Sequence, residues 1–258
     1  MARLLVLGSG NLFSEDNYCS SYIFENDDKE KLLFDCGPDF KYALRDLNID
    51  DKIDLNVGNI DKIFISHCHN DHIGGIPYFG YMRHFLGLPK PKLIIPSMEI
   101  FKNLFSIIFN QMDCISNRFT YPDFYFDILG IGKYDDNILP IELKHIHVNS
   151  GLQSKSYGLL LYYNNKQDYI FITSDMNKSN LADLLPIYRD ATIIIQDCEV
   201  GSESDAHISF DSLCKSIPPK IKEKMYLTHL LHYDFNFTKK VFNSGFRGIL
   251  EKGDILNL

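Results

Sequence analysis

Three histidines and one aspartate crowd the run Ser66-His67-Cys68-His69-Asn70-Asp71-His72. Imidazole nitrogens and a carboxylate suit Zn²⁺, Mn²⁺ or Fe better than Ca²⁺ or Mg²⁺, which prefer all-oxygen shells. On a loop, alternation turns His67 and His69 to one side, while Asp71 and His72 face a neighbouring point. Cys68 alternates away from that side and reads as a packing residue. Gly74-Gly75 then lets the backbone turn tightly into a helix. The chemistry expected of such a cluster is hydrolysis by water activated on a metal.

A loop of this kind needs rigid elements to hold it. Lys62 to Ile65 is an apolar strand that stops at Ser66, where the histidines begin. Further strands are expected over Arg3–Leu7, Ser20–Phe24, Lys31–Phe34 and Lys92–Ile95, the third running into the turn residues Asp35-Cys36-Gly37-Pro38. Ser97 reads as the N-cap of a helix to about Met112, with Ile100, Leu104, Ile107 and Ile108 on one stripe. Residues 113 to 137 read as irregular and aromatic-rich. Strands resume over Ile141–Ile146, Tyr157–Tyr163, Tyr169–Thr173, Thr192–Ile195 and Lys224–Thr228, and Gly248–Leu258 supplies one or two more. A helix over Asn180–Tyr188 is expected to be disturbed by Pro186.

The chain has 258 residues, 45% of them apolar, with 19 Phe and 15 Tyr, which is enough for a core and argues against disorder. One α/β domain over residues 1–258 is the economical reading. With 26 Lys+Arg against 34 Asp+Glu, the formal charge is −8, which disfavours a grip on a long nucleic acid. A small anion held by a metal remains compatible. The six cysteines form no CxxC pair and read as reduced thiols of a cytoplasmic protein. The apolar run Leu4–Leu7 is too short for a signal peptide, and Lys, Asn or Asp interrupts every longer run, so no membrane span is expected.

Together with Asp35 in Leu33-Phe34-Asp35-Cys36-Gly37, the His67-x-His69-x-Asp71-His72 run resembles the metallo-β-lactamase superfamily. The resemblance extends over nearly the whole chain, because later motifs of that family follow in order. His147 in His145-Ile146-His147-Val148-Asn149 is similar to the third-motif histidine, Asp175 in Ser174-Asp175-Met176 to the bridging aspartate, and His229 in Leu227-Thr228-His229 to the last histidine. The resemblance implies an αββα sandwich with a dinuclear metal site at the sheet rim. One ion would take His67, His69 and His147, and the second Asp71, His72 and His229, with Asp175 between them. Zinc is the metal expected, with Mn or Fe as alternatives. His145 is the alternative to His147, since two residues apart they share a strand face. His232 is the alternative to His229, and a helix N-cap is the alternative role for Asp175.

His207, in Asp205-Ala206-His207-Ile208-Ser209, resembles a non-ligand histidine of the ribonuclease Z and phosphodiesterase subgroup. Such an imidazole fits a general acid that protonates a leaving oxygen; a helix-start histidine bonded to backbone is the alternative. With Asp71 it forms the expected catalytic set. Asp197 and Glu199 are candidates to orient His207 or to support a metal ligand, and Asp35 to support a motif histidine. His84 has no evident role.

Three substrate classes compete for this site. Ribonuclease Z-like enzymes cut tRNA with an exosite arm between the third motif and the bridging aspartate. Here that interval is 28 residues (147 to 175), mostly strand, and no arm fits. The subgroup also holds enzymes of small phosphodiesters, including phage proteins that degrade cyclic pyrimidine mononucleotides. Hydrolysis of a cyclic nucleotide is the preferred reading, with Tyr121, Phe124 and Tyr125 as candidates to stack on a base. Lactonase or thioesterase chemistry is the third. A homodimer is expected from the resemblance, in the cytoplasm or, for a phage protein, that of its host.

Overall fold

The computed structural model describes residues 1–48, 55–109, 112, 125–129, 131–132, 134, 136–146, 153–202 and 204–258. Contacts divide the chain into two compact units. The first comprises Met1–Gly8, Tyr18–Asp135 and Lys252–Leu258, and the second Ser9–Asn17 and Asp136–Glu251.

The first unit is built on a seven-stranded sheet. Its strands are β1 (Arg3–Gly8), β2 (Ser21–Glu25), β3 (Lys31–Phe34), β4 (Lys62–Phe64), β5 (Lys92–Ile94), β6 (Asp127–Leu129) and β13 (Ile255–Asn257), in the order β13-β1-β2-β3-β4-β5-β6. From β3 to β6 the pairing is parallel, whereas β13, β1, β2 and β3 pair antiparallel. Leu33, Ile63, Phe64, Leu93 and Ile94 are fully buried, as expected for strands covered on both faces. Helices α1 (Phe40–Asn48), α2 (Asn70–Ile73), α3 (Ile76–Phe85) and α4 (Met98–Leu104) follow β3, β4 and β5. Because β3, β4 and β5 are parallel, their carboxyl ends share one edge, and Asp35 and Ser66 leave it side by side.

The second unit repeats that logic in a six-stranded sheet. Strands β7 (Ile138–Ile146), β8 (Gln153–Tyr163), β9 (Asp168–Ile172), β10 (Ile193–Asp197), β11 (Met225–Thr228) and β12 (Gly248–Ile249) run in the order β12-β11-β10-β9-β8-β7. β9, β10, β11 and β12 are parallel, and β7, β8 and β9 antiparallel. Helices α5 (Leu181–Asp190), α6 (Phe210–Ser216), α7 (Pro219–Lys222) and α8 (Phe235–Asn243) complete the unit. Phe171, Ile194, Leu227, Leu213 and Tyr188 lie in its continuous core, each worth about 1.5–3 kcal/mol of transfer free energy. At the shared carboxyl edge of β9, β10 and β11 stand Asp175, Asp197 and His229.

Most expected elements are present, with instructive differences. Ser97 does cap a helix, its hydroxyl accepting from the Ile100 amide, but α-geometry stops at Leu104 and a π-turn covers Phe105–Phe109. Strand β6 lies where irregular chain was expected; it exists by pairing with β5, Lys92 opposite Asp127. Helix α5 runs through Pro186 to Asp190. A mid-helix proline costs about 3 kcal/mol, which burial of Leu181, Leu184 and Tyr188 on its core face offsets. The two strands expected near the carboxyl end occur, but β12 belongs to the second unit's sheet and β13 to the first's. No helix among the described residues is long and apolar enough to cross a membrane.

Candidate functional site

In the first unit, Asp35 organises the histidine loop. It follows β3 with a left-handed backbone (φ 57°), fully buried. Its Oδ1 accepts from the Ser66 amide at 2.8 Å, and its Oδ2 from the Ser66 hydroxyl at 2.6 Å and from Nδ1 of His72 at 2.7 Å. The Ser66 hydroxyl directs its one hydrogen at Asp35, so its oxygen accepts from Nδ1 of His67 at 3.0 Å. Both imidazoles are thereby held with the proton on Nδ1 and Nε2 unprotonated, the form a metal requires. The three rings are neighbours, with His67 centred 4.5 Å from His69 and 4.1 Å from His72. Burial pushes the Asp35 carboxyl upward, and the His72 and Ser66 contacts offset only part of that.

Backbone contacts lock the loop against the end of β3. The Cys36 amide donates to the His72 carbonyl and the Gly75 amide to the Cys36 carbonyl, both at 2.8 Å. A Cβ on Gly75 would sit 2.2 Å from the Gly37 oxygen, so glycine alone permits this approach. Cys68 is half-buried with Sγ 3.6 Å from the Ile100 carbonyl, in a packing position.

In the second unit the central group is Asp197, at the end of β10. Its carboxylate meets Nδ1 of His207 at 3.1 Å and Nδ1 of His229 at 3.3 Å. The two rings stack, centres 4.9 Å apart, and both turn Nε2 toward Asp175, His229 at 3.5 Å and His207 at 3.9 Å. His229 follows β11 with a left-handed backbone (φ 63°), a conformation costing about 1–2 kcal/mol outside glycine. Burial would raise the Asp197 carboxyl, but the charges and hydrogen bonds of His207 and His229 outweigh it and hold it low. Burial would likewise lower His207, but Asp197 and Asp175 lift it to about 9.

Two ligands at about 2.0–2.1 Å from a tetrahedral Zn²⁺ lie roughly 3.4 Å apart. Nε2 of His72 stands 3.4 Å from Oδ2 of Asp71, and Nε2 of His229 stands 3.5 Å from Oδ1 of Asp175. Each pair therefore has the edge length of a coordination tetrahedron. In each, the histidine's Nδ1 is backed by a second carboxylate, Asp35 or Asp197, as metal-ligating histidines commonly are. Asp175, Asp197, His207 and His229 also offer four donor atoms mutually within 4.8 Å. The donor set fits a divalent metal.

The other expected residues are placed as follows. His147, Tyr121 and Phe124 lie outside the described residues, as does the side chain of His145. Tyr125 is buried, its ring edge-on to Tyr81 and His84 at 5.4 and 5.6 Å. His232 is exposed and pairs with Asp16 at 2.7 Å. Of the two acids weighed as partners of His207, Asp197 takes the role, while Glu199 bridges through its backbone to Ile208 and Phe210. Sequence reasoning missed Ser66, whose position immediately before the first histidine was the available signal.

A family model described as "Anti-Pycsar protein Apyc1" matches residues 2–256. The protein of that name from Saccharibacillus brassicae is 24% identical over 257 residues, 97% of this chain and 98% of its own. Its counterpart in Bacillus phage vB_BveM-Goe7 is 26% identical over 266 residues, 97% of this chain and 96% of its own. Among solved structures, the metallo-β-lactamase fold protein YhfI from Bacillus subtilis superposes with TM-score 0.70 at 18% identity, covering 99% of this chain and 98% of its own. Unliganded yeast PDE1 does so with TM-score 0.71 at 15% identity, covering 100% and 99%. The mixed α/β, metallo-β-lactamase fold expected from the motifs is thus borne out. With a family match reaching from the first strand to the last, this chain belongs to the anti-Pycsar protein Apyc1 family.

Proposed function

We propose that the protein is a dinuclear metal-dependent phosphodiesterase that opens a small phosphodiester, a cyclic nucleotide. His67, His69 and His147 are assigned to one ion and Asp71, His72 and His229 to the other, with Asp175 shared. Bound divalent cations, zinc in this reading, would supply Lewis acidity toward the phosphate and an activated water near neutral pH. The chain's own residues do the rest. Asp35 and Ser66 hold His72 and His67 in the tautomer that keeps Nε2 unprotonated. His207 is the general acid: with Nδ1 on Asp197, its Nε2 delivers a proton to the ester oxygen as the phosphorus–oxygen bond breaks.

The observation that carries the reading is the coupling of a carboxylate-backed ligand histidine to a second, stacked histidine on one aspartate. Such an acid serves the expulsion of a nucleoside alkoxide, a poor leaving group until it is protonated. A tRNA substrate is disfavoured by the β8–β9 connection, a tight turn at Asn164, Asn165 and Lys166, all at positive φ, with no room for an exosite arm. Family membership and a phage-borne relative support a cyclic nucleotide substrate and a host cytoplasmic setting.

The test is a substrate panel with the metal-loaded protein: 2′,3′- and 3′,5′-cyclic nucleotides, bis(p-nitrophenyl) phosphate, a precursor tRNA and a lactone. Turnover of a cyclic nucleotide above all others is expected. Lactone turnover far above that of every phosphodiester would overturn the reading.

A further inference from the structure

The carboxylate of Asp197 touches more of the cluster than a partner of His207 needs to. Beyond Nδ1 of His207, it reaches Nδ1 of His229 at 3.3 Å and accepts from the Met176 amide at 3.1 Å. Met176 is the residue after Asp175, so this last bond fixes the backbone that carries the Asp175 side chain. Asp197 is itself held: its amide donates to the Thr173 hydroxyl at 2.8 Å, and its side chain is 2% exposed. Strand β10 thus ends in one buried anion that faces groups carried by the ends of β9 and β11 and by the loop before α6.

We propose that Asp197 is a positioning residue for metal binding as well as for the proton donor, a single carboxylate that sets the direction of His229, Asp175 and His207 together. This inference rests on the ligand roles assigned to His229 and Asp175 above. The physical basis is reach. A neutral amide at this position keeps one acceptor oxygen but replaces the other with a donor, and that donor would confront an Nδ1–H. One imidazole must then turn or change tautomer. A tautomer change at His229 moves a proton onto Nε2, the atom turned toward Asp175, and removes its lone pair. Loss of an outer partner of this kind commonly weakens a metal site about 10–100-fold.

The experiment compares the unsubstituted protein, Asp197→Asn and His207→Ala, each full length, by two readouts. Zn²⁺ affinity is measured by chelator competition, and imidazole tautomers by nitrogen NMR of the metal-free protein. Asp197→Asn is expected to bind Zn²⁺ about 10–100-fold more weakly and to shift the ring nitrogens of both His207 and His229. His207→Ala, which removes one donor of the cluster but no assigned ligand, is expected to lose less Zn²⁺ affinity than Asp197→Asn. Should the amide variant fail to fold, Asp197→Glu, which keeps the charge and displaces it by one methylene, carries the same two readouts with a smaller loss. A folded Asp197 variant with unchanged affinity and unshifted His229 nitrogens overturns this inference and leaves the phosphodiesterase reading standing. An unsubstituted protein that binds no metal overturns both.

Discussion

Replacing Gly75 with alanine isolates the contact that holds the histidine loop on the end of β3. The backbone there (φ −88°, ψ −10°) suits alanine, and lower unfolded-state entropy would by itself stabilise the variant by about 0.4–1 kcal/mol. Sterics reverse the sign. The new methyl would lie 2.2 Å from the Gly37 oxygen and 2.8 Å from the Cys36 sulfur. Restoring ordinary contact means opening the two backbones by about 1.2 Å. That displacement breaks the Cys36–His72 and Gly75–Cys36 hydrogen bonds, both buried and both 2.8 Å. At about 1–3 kcal/mol for each broken bond, less that entropic gain, the net loss is about 1–5 kcal/mol. In a chain of this size that lowers the melting temperature by about 2–20 °C. Gly87→Ala is the control: unlike Gly75 it sits at positive φ (64°), but it meets nothing within 4 Å, so the substitution costs only about 1–2 kcal/mol for its backbone. Thermal unfolding by circular dichroism, with zinc content measured on the same samples, reads both effects. A Gly75→Ala protein that melts at or above the unsubstituted temperature would refute the steric argument.

Glu25 provides a pH prediction. Burial alone would raise its carboxyl, but Arg3, bonded at 3.1 and 2.9 Å, and Lys29 at 3.0 Å outweigh that and hold it at about 2. A depressed folded value means the stabilisation is complete above the unfolded value of 4.5 and is lost as pH falls toward 2. Glu25→Gln should flatten the acid limb of stability over that window, and acid titration followed by fluorescence checks it. His72→Ala and Asp71→Ala should each lose bound metal and essentially all hydrolysis, read by elemental analysis and turnover, and full activity in metal-free protein would contradict the mechanism. His207→Ala should slow esters with alkoxide leaving groups by about 10²–10⁴-fold and p-nitrophenyl esters far less. Equal losses would argue against the proton-donor role.

The histidine–aspartate motif was readable because chemistry demands particular residue types, and because the strand before it is a plain apolar run. Strand ends were readable for the same reason: Phe34-Asp35 and Leu227-Thr228-His229 each pass from apolar to polar in one step. What could not be read depends on partners distant in sequence. Strand β6 is three residues long and owes its form to β5. Asp197 and Glu199 are equivalent on paper, and only the fold shows which one meets His207 and His229. The left-handed turns at Asp35 and His229 are invisible too, since neither residue type demands that conformation. Pro186 misled in the opposite direction, because the local penalty was legible while the core that outweighs it was not.

The register of the first sheet has a consequence for how this chain is made. Arg3 pairs with Asn257 and Leu5 with Ile255, so β1 leaves the ribosome long before the strand that covers its outer edge. Throughout synthesis, the outer edge of β1 is an open row of amides and carbonyls beside the buried, sticky sequence Leu4-Leu5-Val6-Leu7. Nascent chains stalled short of residue 255 would therefore carry an unsealed edge, prone to join another copy. Synthesis of β13 works as the latch, and truncation within it should appear first as aggregation, before any defect in the chemistry.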